Sequence, residues 1–143
     1  TESAMMENSE VARGVLQQLR NRDIGVSIDD FGTGYSSLSY LQRFPIDRLK
    51  VDRAFVQRME TEEDSAKIVQ TIVLLAHNLG MRVVAEGVET AAHVEALRAL
   101  NVEFVQGFYY SKPVDADAAQ ALVVKNHGCA AAPSPAPVTG REG

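Results

Sequence analysis

The sequence lacks the marks of secreted and membrane proteins. Of its 143 residues only one, Cys129, is a cysteine. A single cysteine cannot form an intrachain disulfide, which favours a reducing compartment, so we expect a cytoplasmic protein. The longest apolar run, 72–76, is too short to span a bilayer, and we see no signal peptide. We therefore expect no membrane contact by this segment.

Clustered positive charge is missing as well. The chain has 14 Lys and Arg against 19 Asp and Glu, a formal net charge of −5, and no basic run. A groove for a nucleic-acid polymer needs clustered cations, so we expect no DNA or RNA polymer as a partner. An anionic substrate would need help from a metal ion. The chain opens on Thr1 instead of Met, which indicates a piece of a longer protein.

The hydrophobic content, 45%, is sufficient for the core of one domain. Short apolar runs alternate with segments of helical periodicity, and this alternation predicts four βα units with parallel strands joined by right-handed crossovers. The predicted strands are 24–30, 48–52, 81–85 and 103–108. In such α/β architectures the active site lies at the carboxyl ends of the strands.

The helices carry their own signals. The first is predicted to start at Asn8 or Ser9 and to pack on the sheet through a face formed by Val11, Val15, Leu16 and Leu19. The clearest helix, 66–79, is predicted to follow an acidic turn and to stop at Gly80. Thr90 and Asp115 are predicted to cap the last two helices. We expect one domain over 1–125 and a disordered Ala/Pro-rich tail over 126–143.

The most informative stretch is DDFGTGYSS, residues 29–37. Asp29 and Asp30 come at the end of a predicted buried strand, where we expect both carboxylates to be buried. Two adjacent buried carboxylates need a cation or strong donors between them, and a divalent metal is a common solution. An acidic pair can also cap a helix or close a turn. However, Lys50, Glu86 and Gln106 fall at the ends of the other three strands. One shared site would explain why all four strands end in polar groups.

Other motif matches are weaker. Asp30-Phe31-Gly32 imitates the magnesium motif of kinases, but no Gly-rich nucleotide loop precedes it. No Lys follows Gly34, so the Walker pattern fails as well. His77 and His93 have no ligand-spaced partner and are interpreted as packed or solvated histidines.

Five segments of the sequence, which include the polar strand ends, together resemble the EAL domain, the cyclic di-GMP phosphodiesterase of bacterial signalling. The matching segments are TES at 1–3, DDFGTGYSS at 29–37, LKVD at 49–52, VAEGVE at 84–89 and QGF at 106–108. The resemblance implies a (β/α)₈ barrel of the TIM type, of which this chain is about the second half. It also implies two Mg²⁺ or Mn²⁺ ions and the hydrolysis of cyclic di-GMP to linear pGpG. The namesake Glu-Ala-Leu strand and a metal-binding Asn are absent from the sequence.

The resemblance also implies a role for each site residue. Glu2 would bind one metal ion, Asp29 would bridge both ions, and Asp30 would hold the second. Glu86 would be the base and a metal-site carboxylate, and Lys50 would hold the attacking water and the phosphate.

Two further residues have less specific roles in the family. Gln106 would contact the metal-bound water or substrate, and Glu89 would be a substrate contact or a loop anchor. Taken alone, Lys50 and Glu89 could also be ordinary surface residues. A homodimer through the 30–37 loop is implied for the complete domain.

Three functions remain open on the sequence alone. The parent protein could be an active phosphodiesterase, or a receptor that binds cyclic di-GMP without hydrolysing it. The missing Glu and Asn decide between these two. In the third case the chain exists alone as an interaction module, since half a barrel exposes two sheet edges that seek a partner strand.

Overall fold

The computed structural model describes residues 9–32 and 38–126 of the chain. It contains four parallel strands in the order β1-β2-β3-β4, each hydrogen-bonded to the next in sequence. The strands are β1 (Ser27–Phe31), β2 (Arg48–Val51), β3 (Arg82–Glu86) and β4 (Phe104–Gln106). The predicted parallel α/β architecture is therefore confirmed. β1 begins later than predicted, because 24–26 run beside the sheet with Val26 N–H donating to the Asp47 carboxylate at 2.8 Å.

Five helices precede, separate or connect the strands in sequence, and a sixth follows them. They are α1 (Ser9–Arg20), α2 (Leu38–Arg43), α3 (Arg53–Val56), α4 (Glu63–Asn78), α5 (Ala91–Ala99) and α6 (Ala116–Asn126). The chain forms two compact units that meet in sequence after Lys112, and α6 belongs to the second unit, which begins at Pro113. The Asp115 carboxylate accepts a hydrogen bond from Ala118 N–H at 2.9 Å, which confirms the predicted cap of α6. The tail beyond residue 126 lies outside the described residues.

The two faces of the sheet differ. Leu49, Val51, Val83 and Ala85 point to one face and are fully buried. They belong to one core cluster with the apolar side of α4, whose buried members are Val69, Ile72, Val73 and Ala76. Each fully buried Val or Ile side chain contributes about 1.5–3 kcal/mol to folding. This packing fixes the strands relative to one another and thus the positions of their ends.

The opposite face of the sheet is polar and aromatic. Because side chains alternate along a strand, the residues between the core positions point to this second face. Arg48 and Arg82 stack on the ring of Phe104, with guanidinium carbons 5.3 and 5.5 Å from the ring centroid. Phe104 nevertheless remains 40% exposed. Further along the same face, towards the carboxyl ends of the strands, lie Lys50 and Glu86.

Two helix predictions need correction. α4 begins at Glu63, not at residue 66, because Glu63 and Asp64 form its first turn, where acidic side chains favour the positive end of the helix dipole. On α1, Val11 and Val15 are 67% and 52% exposed, so the predicted apolar face is wrong in two of its four positions. The helix packs on the core through Ala12 and Leu16 instead, and the described residues leave the two valines uncovered.

The ends of α4 and α5 form as predicted. After α4, Met81 N–H donates to Ala76 C=O at 2.9 Å and Gly80 N–H to His77 C=O at 3.0 Å. This double hydrogen bond is the Schellman motif, with Gly80 in the left-handed region at φ 71°. Thr90 caps α5, since its hydroxyl accepts a hydrogen bond from His93 N–H.

A pair of glycines allows a test of the packing beside β3. Gly87 and Gly80 have almost the same φ, 73° and 71°. A Cβ on Gly87 would lie 2.5 Å from Cβ of Arg53, whereas a Cβ on Gly80 would meet nothing within 4 Å. We predict that Gly80→Ala lowers the free energy of unfolding by about 1 kcal/mol through backbone strain alone, and that Gly87→Ala lowers it by at least about 1 kcal/mol more.

The check is a urea titration of the folded protein, in which Gly80→Ala is the matched control. Equal losses for the two variants would show that the turn after β3 does not pack against α3 as described.

Candidate metal centre

The carboxyl ends of β1, β2 and β3 bring together three acids and one lysine. One carboxylate oxygen from each of Asp29, Asp30 and Glu86 lies within 4.8 Å of the other two. The Lys50 ammonium donates a hydrogen bond to Asp29 at 2.7 Å and forms a second ion pair with Glu86. Residues that are far apart in sequence thus form one cluster at the edge where an α/β protein places its site. We refer to these four residues as the acidic cluster.

A β-bulge puts two consecutive aspartates into the acidic cluster. Ile28 pairs with Leu49 and Phe31 with Val51, so Asp29 and Asp30 together face the single residue Lys50. Asp30 has φ 52°, in the left-handed region that Asp tolerates better than most residues. In a regular strand, neighbouring side chains point to opposite faces. The bulge cancels that alternation, so both carboxylates reach the same side as Glu86.

Lys50 and Glu86 are placed by strand register. Lys50 pairs with Val84, which puts Glu86 two residues further along β3 and on the same face. Their side chains are 24% and 19% exposed, so both groups are largely withdrawn from water. Asp29 is 64% exposed and Asp30 is also exposed, which contradicts the premise that both aspartates are buried. β1 is an edge strand of the described sheet, and the two aspartates lie near its carboxyl end.

The charges of the acidic cluster shift the pKa values of its members in different directions. The hydrogen bond from Lys50 lowers the pKa of Asp29. The negative charge of Asp29 raises the pKa of Asp30, with further contributions from desolvation and from Asp52. Burial alone would lower the pKa of Lys50, but its hydrogen bonds with Asp29 and Glu86 outweigh burial, so that the pKa of Lys50 is raised. One ammonium group therefore faces three carboxylates and balances only part of their charge.

These residues fit a hard divalent cation. The atoms of the acidic cluster that could bind a metal ion are all carboxylate oxygens. This ligand type favours Mg²⁺, Mn²⁺ or Ca²⁺ over zinc. A purely structural ion pair would need one acid for Lys50, and the two extra carboxylates would only add repulsion. A bound cation would remove that repulsion. The excess of negative charge is thus the observation that favours a metal centre over a structural salt bridge.

The remaining predicted site residues lie around the acidic cluster. Gln106 ends β4 and pairs in register with Glu86, and it is exposed. Glu89 is also exposed and accepts a hydrogen bond from Gln57 Nε2 at 2.8 Å, which ties the chain after β3 to the residue following α3. Glu2 and the part of the proposed dimer loop at 33–37 lie outside the described residues.

Sequence reasoning assigned no role to two residues near the site. Asp52 caps α3 by accepting a hydrogen bond from Ala54 N–H at 2.7 Å, and it also acts on the pKa of Asp30. An Asp before a short helical run is a recognisable cap, but its proximity to Asp30 depends on the bulge. His93, interpreted from sequence as packed or solvated, is 4% exposed and has partners on both ring nitrogens.

None of the helices in the described part of the chain has the length and hydropathy needed to cross a membrane.

Comparison with known proteins identifies the family. A family model described as the EAL domain matches residues 1–113. MucR of Pseudomonas aeruginosa, a bifunctional diguanylate cyclase/cyclic di-GMP phosphodiesterase, is 45% identical over 117 residues, which are 82% of this chain and 17% of MucR.

Solved structures agree with the sequence matches. The MucR phosphodiesterase in complex with c-di-GMP is 43% identical with a TM-score of 0.74, over 80% of this chain and 47% of that chain. A calcium and cyclic di-GMP complex of BlrP1 from Klebsiella pneumoniae is 38% identical with a TM-score of 0.68, over 78% of this chain and 28% of that one. The chain thus spans less than half the length of these relatives, and it belongs to the EAL domain family.

Proposed function

We propose that this chain is the carboxyl-terminal half of an EAL domain that hydrolyses cyclic di-GMP to linear pGpG with the help of divalent metal ions. The observation that carries the proposal is the acidic cluster, with three carboxylates within 4.8 Å of one another beside a largely buried lysine. The relatives' names support the reaction, since MucR is named a cyclic di-GMP phosphodiesterase. The chain covers 47% of the solved MucR phosphodiesterase, so the remaining part of the site would come from upstream residues.

Each residue of the acidic cluster has a role that its position supports. Asp29 and Asp30 would hold Mg²⁺ or Mn²⁺, with Asp29 between two ions, and Glu2 would add a ligand from the start of the chain. When bound, the ions would supply charge neutralisation and a water of lowered pKa. Glu86 would accept a proton with the carboxylate oxygen that does not face Lys50. Lys50 would orient a water or a phosphate oxygen with the one ammonium hydrogen that Asp29 and Glu86 leave unused.

Two residues would act at the border of the acidic cluster. Gln106, opposite Glu86 in register, would bind a metal-bound water or the substrate. The hydrogen bond from Gln57 to Glu89 supports the loop-anchor role of Glu89 over a direct substrate contact. We further propose a homodimer through the 30–37 loop, because the bulge at Asp30 would link that loop to the metal ligands.

The second candidate is a receptor that binds cyclic di-GMP without hydrolysing it. By resemblance to the family, the residues that distinguish the two functions are the Glu of the Glu-Ala-Leu strand and the Asn that follows it, and in a complete domain both would lie upstream of Thr1. An intact pair favours the enzyme, and replacement of either favours the receptor.

We predict that Asp29→Asn in the complete domain lowers kcat by at least about 10³-fold, because the variant loses the charge proposed to bridge two ions. The measurement is the rate of pGpG formation in Mg²⁺ and in Mn²⁺. The matched control is Asp64→Asn, which removes an exposed acid from the first turn of α4. Turnover of Asp29→Asn within tenfold of the wild type, with an unchanged control, would contradict the bridging role.

Glu86→Gln tests the proton-transfer role separately. The amide oxygen of Gln can still accept a hydrogen bond from Lys50, but the side chain can no longer take up a proton. We therefore expect turnover to be lost while cyclic di-GMP binding, measured by calorimetry, remains detectable. If binding is lost while turnover persists, Glu86 acts on affinity and is not the base.

The isolated 143-residue chain should have no measurable hydrolysis in Mg²⁺ or Mn²⁺. It would lack part of the ligand set, and a Mg²⁺ site with an incomplete octahedron binds weakly. Strands β1 and β4 are the edges of the described sheet, so we expect the chain to associate through them. The measurements are the mass in solution by light scattering and the formation of pGpG over hours. A stable monomer with metal-dependent turnover would show that the ligands within this chain are sufficient for hydrolysis.

A further inference from the structure

The chain that follows Glu86 is clamped on two sides. We call residues 87–90, between β3 and α5, the β3–α5 loop. On one side, Val88 N–H donates to Gln106 C=O at 3.1 Å, and Tyr109 N–H donates to Val88 C=O at 3.0 Å. On the other side, Gly87 approaches Arg53 so closely that an added Cβ would lie 2.5 Å from the Arg53 Cβ. Strand register sets the face on which Glu86 lies, and this loop holds the backbone that directly follows Glu86 and carries Glu89.

A buried histidine completes the clamp. His93 lies in the first turn of α5, and its Nδ1 accepts a hydrogen bond from Glu89 N–H at 3.3 Å. Because Nδ1 accepts, the ring hydrogen lies on Nε2. This nitrogen faces Glu60, whose nearer carboxylate oxygen lies 3.1 Å away. One ring thus connects the backbone of the β3–α5 loop to the turn that follows α3.

Glu60 contacts two residues at the start of α5. The same carboxylate oxygen that faces His93 also accepts a hydrogen bond from the Thr90 hydroxyl. In turn, Thr90 Oγ1 accepts a hydrogen bond from His93 N–H at 3.0 Å. The arrangement is like a capping box in which the side chain of the third helical residue bonds back to the backbone before the helix. Here that side chain is an imidazole, which leaves its second nitrogen available for Glu60.

We propose that Glu60 and His93 form a positioning pair that holds the β3–α5 loop and thereby sets the placement of Glu86 and Glu89 in the active site. This inference rests on the proposed function for its effect on catalysis, but its structural part stands on the hydrogen bonds alone. Neither residue belongs to the acidic cluster, so each acts through Glu86 and Glu89. The contacts of both ring nitrogens also explain how a polar ring that is only 4% exposed is accommodated at this position.

The chemistry of the pair predicts which replacement is tolerated. The site needs one acceptor for Glu89 N–H and one donor for Glu60. A Gln side chain offers both, through its carbonyl oxygen and its NH₂ group, whereas Ala offers neither. His93→Gln should therefore preserve what His93→Ala removes.

The protein also contains a matched control. His77 Nε2 lies 3.2 Å from Glu103, and the other carboxylate oxygen of Glu103 accepts a hydrogen bond from Val83 N–H at 2.8 Å. This second His–Glu pair contacts the beginning of β3, while Glu86 lies at its end. His77→Ala removes a similar His–Glu contact without touching the β3–α5 loop.

The experiment compares His93→Ala, His93→Gln, Glu60→Ala, the double variant Glu60→Ala/His93→Ala and His77→Ala in the complete domain, well below the unfolding midpoint of every variant. The first readout is hydrogen exchange of the Glu89 amide, which donates directly to His93. The second is the kinetics of cyclic di-GMP hydrolysis, with kcat and KM determined separately.

We expect His93→Ala to lose protection of the Glu89 amide and to lower kcat about tenfold or more, with KM changed less than about threefold. His93→Gln should restore both readouts, and His77→Ala should leave them unchanged. The double variant should lose less than the sum of the losses of the two single variants, because each single variant already removes the shared contact between Glu60 and His93.

Three results would overturn the proposal. They are full protection of the Glu89 amide in His93→Ala, a His93→Gln variant as impaired as His93→Ala, and a kcat of His93→Ala within twofold of the wild type. A wild-type domain without turnover would instead refute the proposed function, while the exchange of the Glu89 amide would still decide whether His93 holds the loop.

Discussion

Repulsion among carboxylates at the end of a parallel sheet is the constraint on which the site depends. Asp29, Asp30 and Glu86 place oxygens within 4.8 Å of one another, and Lys50 is the cation that the acidic cluster itself provides. The negative charge of Asp29 raises the pKa of Asp30, and one ammonium faces three carboxylates. Such an arrangement is unfavourable without a further positive charge, and a divalent cation is the one that fits carboxylate oxygens.

The fold holds these groups together in spite of their repulsion. One face of the sheet is anchored by fully buried residues such as Leu49 and Val83, packed with α4. The core residues of β2 and β3 alternate with Lys50 and Glu86 along the strands. When the core residues are buried on one face, Lys50 and Glu86 therefore point to the other face. The apolar core and the charged site are thus two consequences of one strand register. The bulge at Asp29 and Asp30 is the single local departure from it.

The sequence was sufficient for the architecture and for the expectation that the strand-end residues lie close together. Alternating apolar runs predicted the parallel strands, Thr90 and Asp115 predicted the caps, and the polar strand ends predicted where Asp29, Lys50 and Glu86 would lie. These signals are local or periodic, so they can be recognised in the sequence without knowledge of the tertiary packing.

What the sequence did not reveal depends on tertiary contacts. The left-handed backbone of Asp30 and its exposure follow from the bulge against β2. On α1, helical spacing alone could not show that Ala12 and Leu16, and not Val11 and Val15, face the core, since all four lie on adjoining parts of the helix surface. His93 was interpreted from sequence as packed or solvated, and its contact with Glu60 could not be predicted because it depends on the packing of α3 beside the β3–α5 loop.

The central claim is that these four strand ends are half of a phosphodiesterase site, and a chimera tests it most directly. The part of the MucR phosphodiesterase that this chain does not match would be joined to residues 1–125 of this chain. For a folded chimera that binds cyclic di-GMP, our account predicts Mg²⁺- or Mn²⁺-dependent formation of linear pGpG. A chimera that folds and binds cyclic di-GMP in the presence of these ions, yet forms no pGpG, would contradict it.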